Sequence, residues 1–395
     1  MVSRTLLAGL AFVLAGCIQA PSADLGASST PSDLPGPLAL PEKITGIEAL
    51  ALVPIDGAND IAFKPGYAYV SAGSGTHVVD IRDPAAPVLV SSVECAGKDV
   101  GVVDLPSGRR IVTISWQGDD KCPGSAAGGG IRLVDVTDPA EPMVLPQVPL
   151  VYGSHTHTPY GDTGLVFNSA YNLAGNLAAS PFDHHRSEIV DITDPEAPKV
   201  ATEFLFPPTS LSIGCHDILA EPERDRAICA GISETMVWDM TDPMAPKIVS
   251  TIRNPLITIH HSAATGRDGK LLVLGDEAGG VFLPGCNDPV PLGALWAYDL
   301  TDPAAPKLLG HFVAPKGRSP IPCTAHNFNF VEGTNLVVSA FYTAGTVLVD
   351  FGDPAEPMSL AQVAPDDGTA WASYYHEGAV YVGNGARGFD VLKLT

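Results

Sequence analysis

The chain is short of charge, and shortest of positive charge. Only 17% of its 395 residues are charged, and 22 Lys and Arg stand against 44 Asp and Glu, a formal net charge of −22. With 45% hydrophobic residues, that composition excludes a disordered polyelectrolyte. The basic deficit excludes nucleic acid, whose phosphates would be repelled, and electrostatic docking on anionic lipid. It favours cationic ligands and metal ions. Several catalytic signatures are missing as well: there is no Gly-x-Ser-x-Gly elbow, no phosphate loop and no His-Glu-x-x-His pair. Gly128–Gly130 is an isolated glycine run. What is abundant is Gly, with 40 residues, and Pro, with 36. Both point to a turn-rich, all-β chain rather than to helices. The length suits one large domain or two ordinary ones.

The first residues read as an address. Arg4 precedes an apolar stretch from Leu6 to Ala15, too short to span a bilayer, which needs roughly 20 residues. It runs into Leu14-Ala15-Gly16-Cys17, which resembles a bacterial lipobox with Cys17 as the lipidated mature N-terminus. An ordinary secretory signal with Cys17 lost is the alternative. Residues 1–17 are therefore expected to be a lipoprotein signal peptide. Residues 18–43, with five prolines among Ser, Ala and Gly, are expected to be a flexible tether. The expected setting is extracytoplasmic, with the membrane reached through the Cys17 anchor. No later segment has the length and apolarity of a membrane span.

An internal repeat organises the rest. VVDIRDPAAPVLV from Val78, LVDVTDPAEPMVL from Leu133 and IVDITDPEAPKVA from Ile189 recur as VWDMTDPMAPKIV from Val237, AYDLTDPAAPKLL from Ala297 and LVDFGDPAEPMSL from Leu348. GFDVLKLT from Gly388 is a truncated seventh copy. The leading aspartates are Asp80, Asp135, Asp191, Asp239, Asp299, Asp350 and Asp390, spaced by 55, 56, 48, 60, 51 and 40 residues. Four-stranded propeller blades take about 40–50 residues, so the longer spacings imply loop insertions. In each unit Asp-Pro-x-x-Pro turns the chain between the third and the outermost strand. Proline fixes φ and donates no hydrogen bond, and the aspartate before it can accept turn amides. The seventh unit lacks an outer strand, and the segment 44–55 has the length and apolar character to supply it. The expected fold is thus a seven-bladed β-propeller over residues 44–395, closed by that N-terminal strand. Six blades with a stray hairpin is the alternative.

The runs LVDVTDPAEP, IVDITDPEAP and LVDFGDPAEP resemble the LVIVD repeat family of extracytoplasmic β-propellers. The resemblance covers nearly everything from about residue 44 to 395 and implies the propeller fold and a cell-surface or secreted setting. It implies no particular reaction. Family members also show stretches like those seen here as GCHDI, HHSA, GDEAGG and TAHN, at Gly214–Ile218, His260–Ala263, Gly275–Gly280 and Thr324–Asn327.

Four histidines, His155, His216, His261 and His326, each open the inner strand of units three to six, about ten residues before a second strand. Equivalent positions of successive blades line the central channel near one rim, so four imidazoles are expected to converge. Neutral imidazoles bind zinc, iron(II), copper(II) or nickel. His157 lies two residues from His155 and shares its strand face, so either is the candidate ligand from unit three. Asp60, Asp99, Asn168, Asp217, Asp276, Asn327 and Arg387 are expected to line the pocket or stand behind the ligands, with Glu277 and Tyr342 as candidate proton donors. The rival reading is a structural hydrogen-bonded lattice tying inner strands together, with Asp217, Ser262 and Asn327 as its members. His184 and His185 are expected in an exposed insertion, His77 as structural and His376 at the surface.

Six cysteines remain after Cys17, an even number suited to an oxidising compartment. The unit alignment pairs Cys95–Cys122, Cys215–Cys229 and Cys286–Cys323. Thiolate ligation by Cys215 beside His216 is the alternative. Insertions near 117–130, 172–188 and 279–294 all connect second to third strands on the histidine rim, where loops build binding sites. Trp116, Tyr171 and Trp296 border them as candidate ligand contacts. Three functions fit: a surface binding or scaffold propeller recognising protein or glycan, a mononuclear metal-dependent oxidoreductase, and a metal-sequestering surface protein. A monomer is expected.

Overall fold

The structure is a computed structural model that describes residues 38–117, 129–169, 186–212, 214–266, 268–277, 285–286, 291–319 and 322–395. The signal peptide with Cys17, most of the tether, Cys122, Tyr171, His184 and His185 lie outside the described residues. So does most of each insertion.

The described chain is all-β, with one short 3₁₀ turn at Pro222–Arg224. The first unit shows how each sheet is made. Ala58–Lys64, Tyr67–Ala72, Gly75–Asp80 and Val88–Val93 pair antiparallel in that order, from inside to outside. Units three, four and five repeat the four-stranded order, and unit two adds a short fifth strand. The strands of units six and seven form one hydrogen-bonded sheet, joined by a parallel contact between their inner strands, Asn327↔Ala372 and Phe328↔Ser373. The inner strands of successive units lie side by side, and the first also lies beside the last. Ile47–Val53 pairs antiparallel with Phe389–Leu394, from Ile47↔Leu394 to Val53↔Phe389.

The repeated sequence explains the repeated corner. Each leading aspartate accepts the main-chain N–H two residues on: Arg82 to Asp80 at 3.0 Å, Thr137 to Asp135 at 2.8 Å, Thr193 to Asp191 at 2.9 Å. Thr241, Thr301 and Gly352 do the same to Asp239, Asp299 and Asp350. The second aspartate accepts another such amide within the turn, as Ala85 to Asp83 at 3.0 Å and Ala304 to Asp302 at 3.0 Å. Two side-chain oxygens thus occupy the amides that the ladder leaves as the strand stops. In five units a bulge falls just before the leading aspartate, at Val78/Val79, Ile189/Val190, Val237/Trp238, Ala297/Tyr298 and Leu348/Val349. A bulge at a fixed place adds the same local twist to every sheet. Asp390, with no such turn after it, takes Arg387 and Asn384 instead.

Facing sheets bury their alternate apolar residues together. Phe312, Phe328, Phe341 and Phe351 lie in one cluster between units five and six. Ile61, Val70 and Val79 of the first unit pack with Tyr381, Phe389 and Val391 of the last. Each such fully buried side chain contributes about 1.5–3 kcal/mol. The candidate contacts Trp116 and Trp296 are part of this packing rather than of a binding surface. Both are buried; Arg132 lies 4.3 Å over the Trp116 ring, and His311 packs 4.9 Å from that of Trp296. Cys215–Cys229 and Cys286–Cys323 are disulfides, so no Cys215 thiolate stands beside His216. The Cys95–Cys122 pairing involves a residue outside the described set. No helix among the described residues is long and apolar enough to cross a membrane.

Candidate functional site

The inner strands begin at one rim, and their first residues project into a common cavity of about 800 Å³. His155, His216, His261 and His326 all line it, as do Glu277, Tyr342 and Trp371. Neighbouring imidazoles stand 4.6, 4.1 and 4.3 Å apart between ring centres, in the order of their units. The Nε2 atoms of His155 and His216 are 3.1 Å apart. Glu277, from the end of the second strand of unit five, sits between two of the rings: its Oε2 is 3.8 Å from His261 Nε2 and its Oε1 3.8 Å from His326 Nε2. Tyr342 donates its hydroxyl to Glu277 Oε1 at 2.8 Å. His326 Nδ1 donates to the Trp371 carbonyl at 2.5 Å, which turns the Nε2 lone pair toward Glu277. His261 is only 2% exposed, yet neither ring nitrogen has a hydrogen-bond partner. A buried unpaired polar atom costs about 1–3 kcal/mol, which makes this ring a candidate to receive a ligand.

Burial sets the protonation of the same groups, with a smaller contribution from the Lys98 charge at His155, His216 and Glu277. Burial pushes His155 down to about 4 and His326 to about 3, and holds His216 and His261 well below the ordinary histidine range. All four are therefore neutral near pH 7 and carry lone pairs, as ligands must. Burial lifts Glu277 to about 7. Among the described residues, His216, His261 and Glu277 are the group whose ligand atoms all fall within 4.8 Å of one another. This donor set fits a borderline divalent ion.

One residue further along the strands the chemistry changes. Thr156 and Ser262 follow two of the histidines and donate to the next inner strand, at the carbonyls of His216 and His326, the latter at 2.7 Å. They form the interstrand lattice. Asp217 and Asn327, the other expected lattice members, face the cavity together with Asp60 and Asp99. Asp60 Oδ1 accepts from Tyr374 at 2.9 Å and Asn327 at 3.2 Å. Burial first, then the Asp99 charge, raises its carboxyl well above the usual range. Burial also works against the Asp99 charge, but the His157 ring and main-chain N–H, at 3.0 and 2.7 Å, hold that carboxyl low. Burial and Asp99 lift Asp217 to about 7.

His157 stands apart from the other rings. Its Nε2 is 2.7 Å from the Thr113 hydroxyl and its Nδ1 faces Asp99, so both nitrogens are engaged by unit two. His155 is the member from unit three that meets His216. Three expected pocket residues lie elsewhere, because stronger partners hold them. Asn168 donates to the Gly153 carbonyl and Glu188. Arg387 is paired with Asp367 and Asp390. Asp276 is fully buried and accepts the N–H groups of Thr258, Ile259 and Gly293. His77 is held by Ser74 and Ser92. His376 stacks on Phe63 at 4.5 Å and is half-buried rather than free at the surface. Tyr374, Phe63 and Ile61 line the cavity without having been singled out in the sequence. Their signal was positional only, since they alternate with Ala62, Ser373 and Tyr375 along inner strands.

The LVIVD repeat model matches residues 57–95. No curated protein matches the chain by sequence. Three solved structures share the fold. U3-55K has a TM-score of 0.59 at 9% identity, covering 91% of this chain and 100% of that one. The WD40 repeats of RRP9 give 0.59 at 8%, covering 92% and 100%. The WD40 β-propeller domain of Doa1 gives 0.57 at 9%, covering 88% and 96%. At such identities the likeness concerns architecture alone. With sheets of this kind recurring along the chain, this is a repeat β-propeller protein that carries the LVIVD repeat.

Proposed function

We propose that this protein is an extracytoplasmic, lipid-anchored propeller of seven blades whose channel binds a ligand at a histidine-held divalent metal ion. The count of seven follows from the seven leading aspartates and from the pairing of the N-terminal strand with the last one. The lipid anchor follows from the Cys17 motif, and the two disulfides suit an oxidising compartment.

The observation that carries the metal is His261, buried with two unpartnered nitrogens beside His216 and Glu277. His155 and His326 flank that group and complete an arc. The Nε2 atoms of His155 and His216 lie 3.1 Å apart, near enough to share one ion, and imidazole and carboxylate donors would hold zinc, iron(II), copper(II) or nickel. All ligands come from one side of the channel, so the remaining positions face the cavity. The ligand enters there.

Open positions beside a cavity also favour a second reading, a metal-dependent oxidoreductase, with the Tyr342–Glu277 pair moving a proton at Oε1. Metal analysis of untagged protein tests the common core of both readings. Near-stoichiometric metal that disappears in His216→Ala and His261→Ala is expected. Metal-free protein after reconstitution would reduce the His155–His216 contact to a hydrogen bond between neutral rings and overturn both.

A further inference from the structure

The cavity has two chemically different tiers. The imidazoles and Glu277 form the first; the second is Asp217 and Asn327, each directly after a histidine, with Asp60 and Asp99 from units one and two. Beyond them the wall is apolar and aromatic, with Ile61, Phe63 and Val100. Lys64, at that end, is already paired with Asp162 at 2.5 Å and Asp104 at 3.5 Å; Lys98 also lines the cavity, and its charge acts on His155, His216 and Glu277 rather than on Asp217. Asp217 accepts the main-chain N–H of Ile218 at 2.7 Å. Asp60 and Asp99 hydrogen-bond to each other side chain to side chain, and each has a further partner, Tyr374 for Asp60 and His157 for Asp99. The same cavity contains His261, whose buried ring nitrogens have no partner in the protein, which independently marks the space as one that receives a ligand.

A bare ion does not fit the second tier. Asp60, Asp99 and Asp217 do not bring their ligand atoms within 4.8 Å of one another, whereas His216, His261 and Glu277 do. A bonded carboxyl pair with a third carboxylate set apart from it suits a larger cation that donates in several directions. Tyr374 and Phe63 beside them line the same cavity and give an apolar body a surface to pack on. We propose that the ligand of this cavity is an organic cation, a molecule bearing a primary amine on an apolar body, with its ammonium group among Asp60, Asp99 and Asp217. Its other end reaches toward the metal tier, and that part of the inference rests on the metal reading above.

Calorimetric titration of the full chain with benzylamine and with its uncharged counterpart benzyl alcohol tests this, on metal-stripped and on metal-loaded protein. Benzylamine is expected to bind metal-stripped protein about tenfold or more tighter than the alcohol. Asp217→Asn is expected to remove that preference. Equal binding of the two probes, or binding of neither, overturns the proposal without needing any variant to fold. Displacement of benzylamine by equimolar calcium chloride would mark a bare-ion site and overturn it as well. Amine selectivity in a protein that takes up no metal supports this inference while refuting the metal reading. Metal uptake without amine selectivity does the reverse.

Discussion

Replacing Asp276 by Ala tests how the site is held. This carboxylate is fully buried and accepts four hydrogen bonds. Oδ1 takes the N–H groups of Thr258 and Ile259, both at 3.0 Å, and the Thr258 hydroxyl at 2.6 Å. Oδ2 takes the Gly293 N–H at 3.0 Å. It therefore clamps the segment entering the fifth inner strand to the strand Leu271–Asp276, directly before Glu277. Each buried donor left without an acceptor costs about 1–3 kcal/mol, so Asp276→Ala is expected to cost about 4 kcal/mol or more. Asp276→Asn keeps the three bonds at Oδ1 but turns an N–H toward Gly293, and is expected to cost about 1–2 kcal/mol. Urea unfolding followed by tryptophan fluorescence gives both values. A loss below about 1 kcal/mol for the alanine variant would mean that water replaces the carboxylate freely, and the clamp would be refuted. The clamp also sets the distance between His261 and Glu277, so metal uptake should fall further in the alanine than in the asparagine variant.

Metal binding should depend on pH through Glu277, which burial lifts to about 7. The ion binds the deprotonated carboxylate, so apparent affinity is full above pH 7 and falls about tenfold per pH unit below it, with about one proton released. Calorimetry in buffers of different ionisation enthalpy checks this, and a flat profile between about pH 5.5 and 7 would contradict it. At Gly383 an added Cβ would collide with the carbonyl oxygen of Asn59, where the last unit meets the first. Gly383→Ala is expected to destabilise by about 1–3 kcal/mol, and a neutral effect in thermal unfolding would argue against that close approach. Removing the Cys215–Cys229 bridge by a double Ser substitution opens a loop with a sequence separation of 14. A loss of about 3 kcal/mol is expected in urea unfolding, and an unchanged midpoint would count against the bridge.

Much of this molecule is legible in one dimension because its fold is repetitive. The Asp-x-x-Asp-Pro corner recurs, and its side-chain bonds are local: Asp135 reaches Thr137, and Asp138 reaches Ala140. Contacts spanning two residues need no tertiary knowledge. The histidines were legible for a related reason. Equivalent positions of equivalent strands meet around one axis, so alignment alone brings His155, His216, His261 and His326 together. Asp60, Asp99, Asp217 and Asn327, one residue further on in the same alignment, were expected in the pocket and line it. Asn168 and Arg387 were expected at the rim from strand ends, yet Asn168 is held by Glu188 and Arg387 by Asp390 and Asp367, partners that a strand alignment does not reveal.

Sequence by itself determined the strands, the corners and which units carry imidazoles, since these depend on spacing and on bonds between near neighbours. Tertiary structure decided what each side chain faces. His157 turns to Thr113 and Asp99 of the adjoining sheet, while His155, two residues before it, meets His216. Trp116 and Trp296 enter the packing between sheets instead of the rim. The two histidine outcomes depend on contacts between units, at separations of 44 residues for His157–Thr113 and 61 for His155–His216. The packing of neighbouring sheets, and not the spacing within one, selects which partner each ring finds.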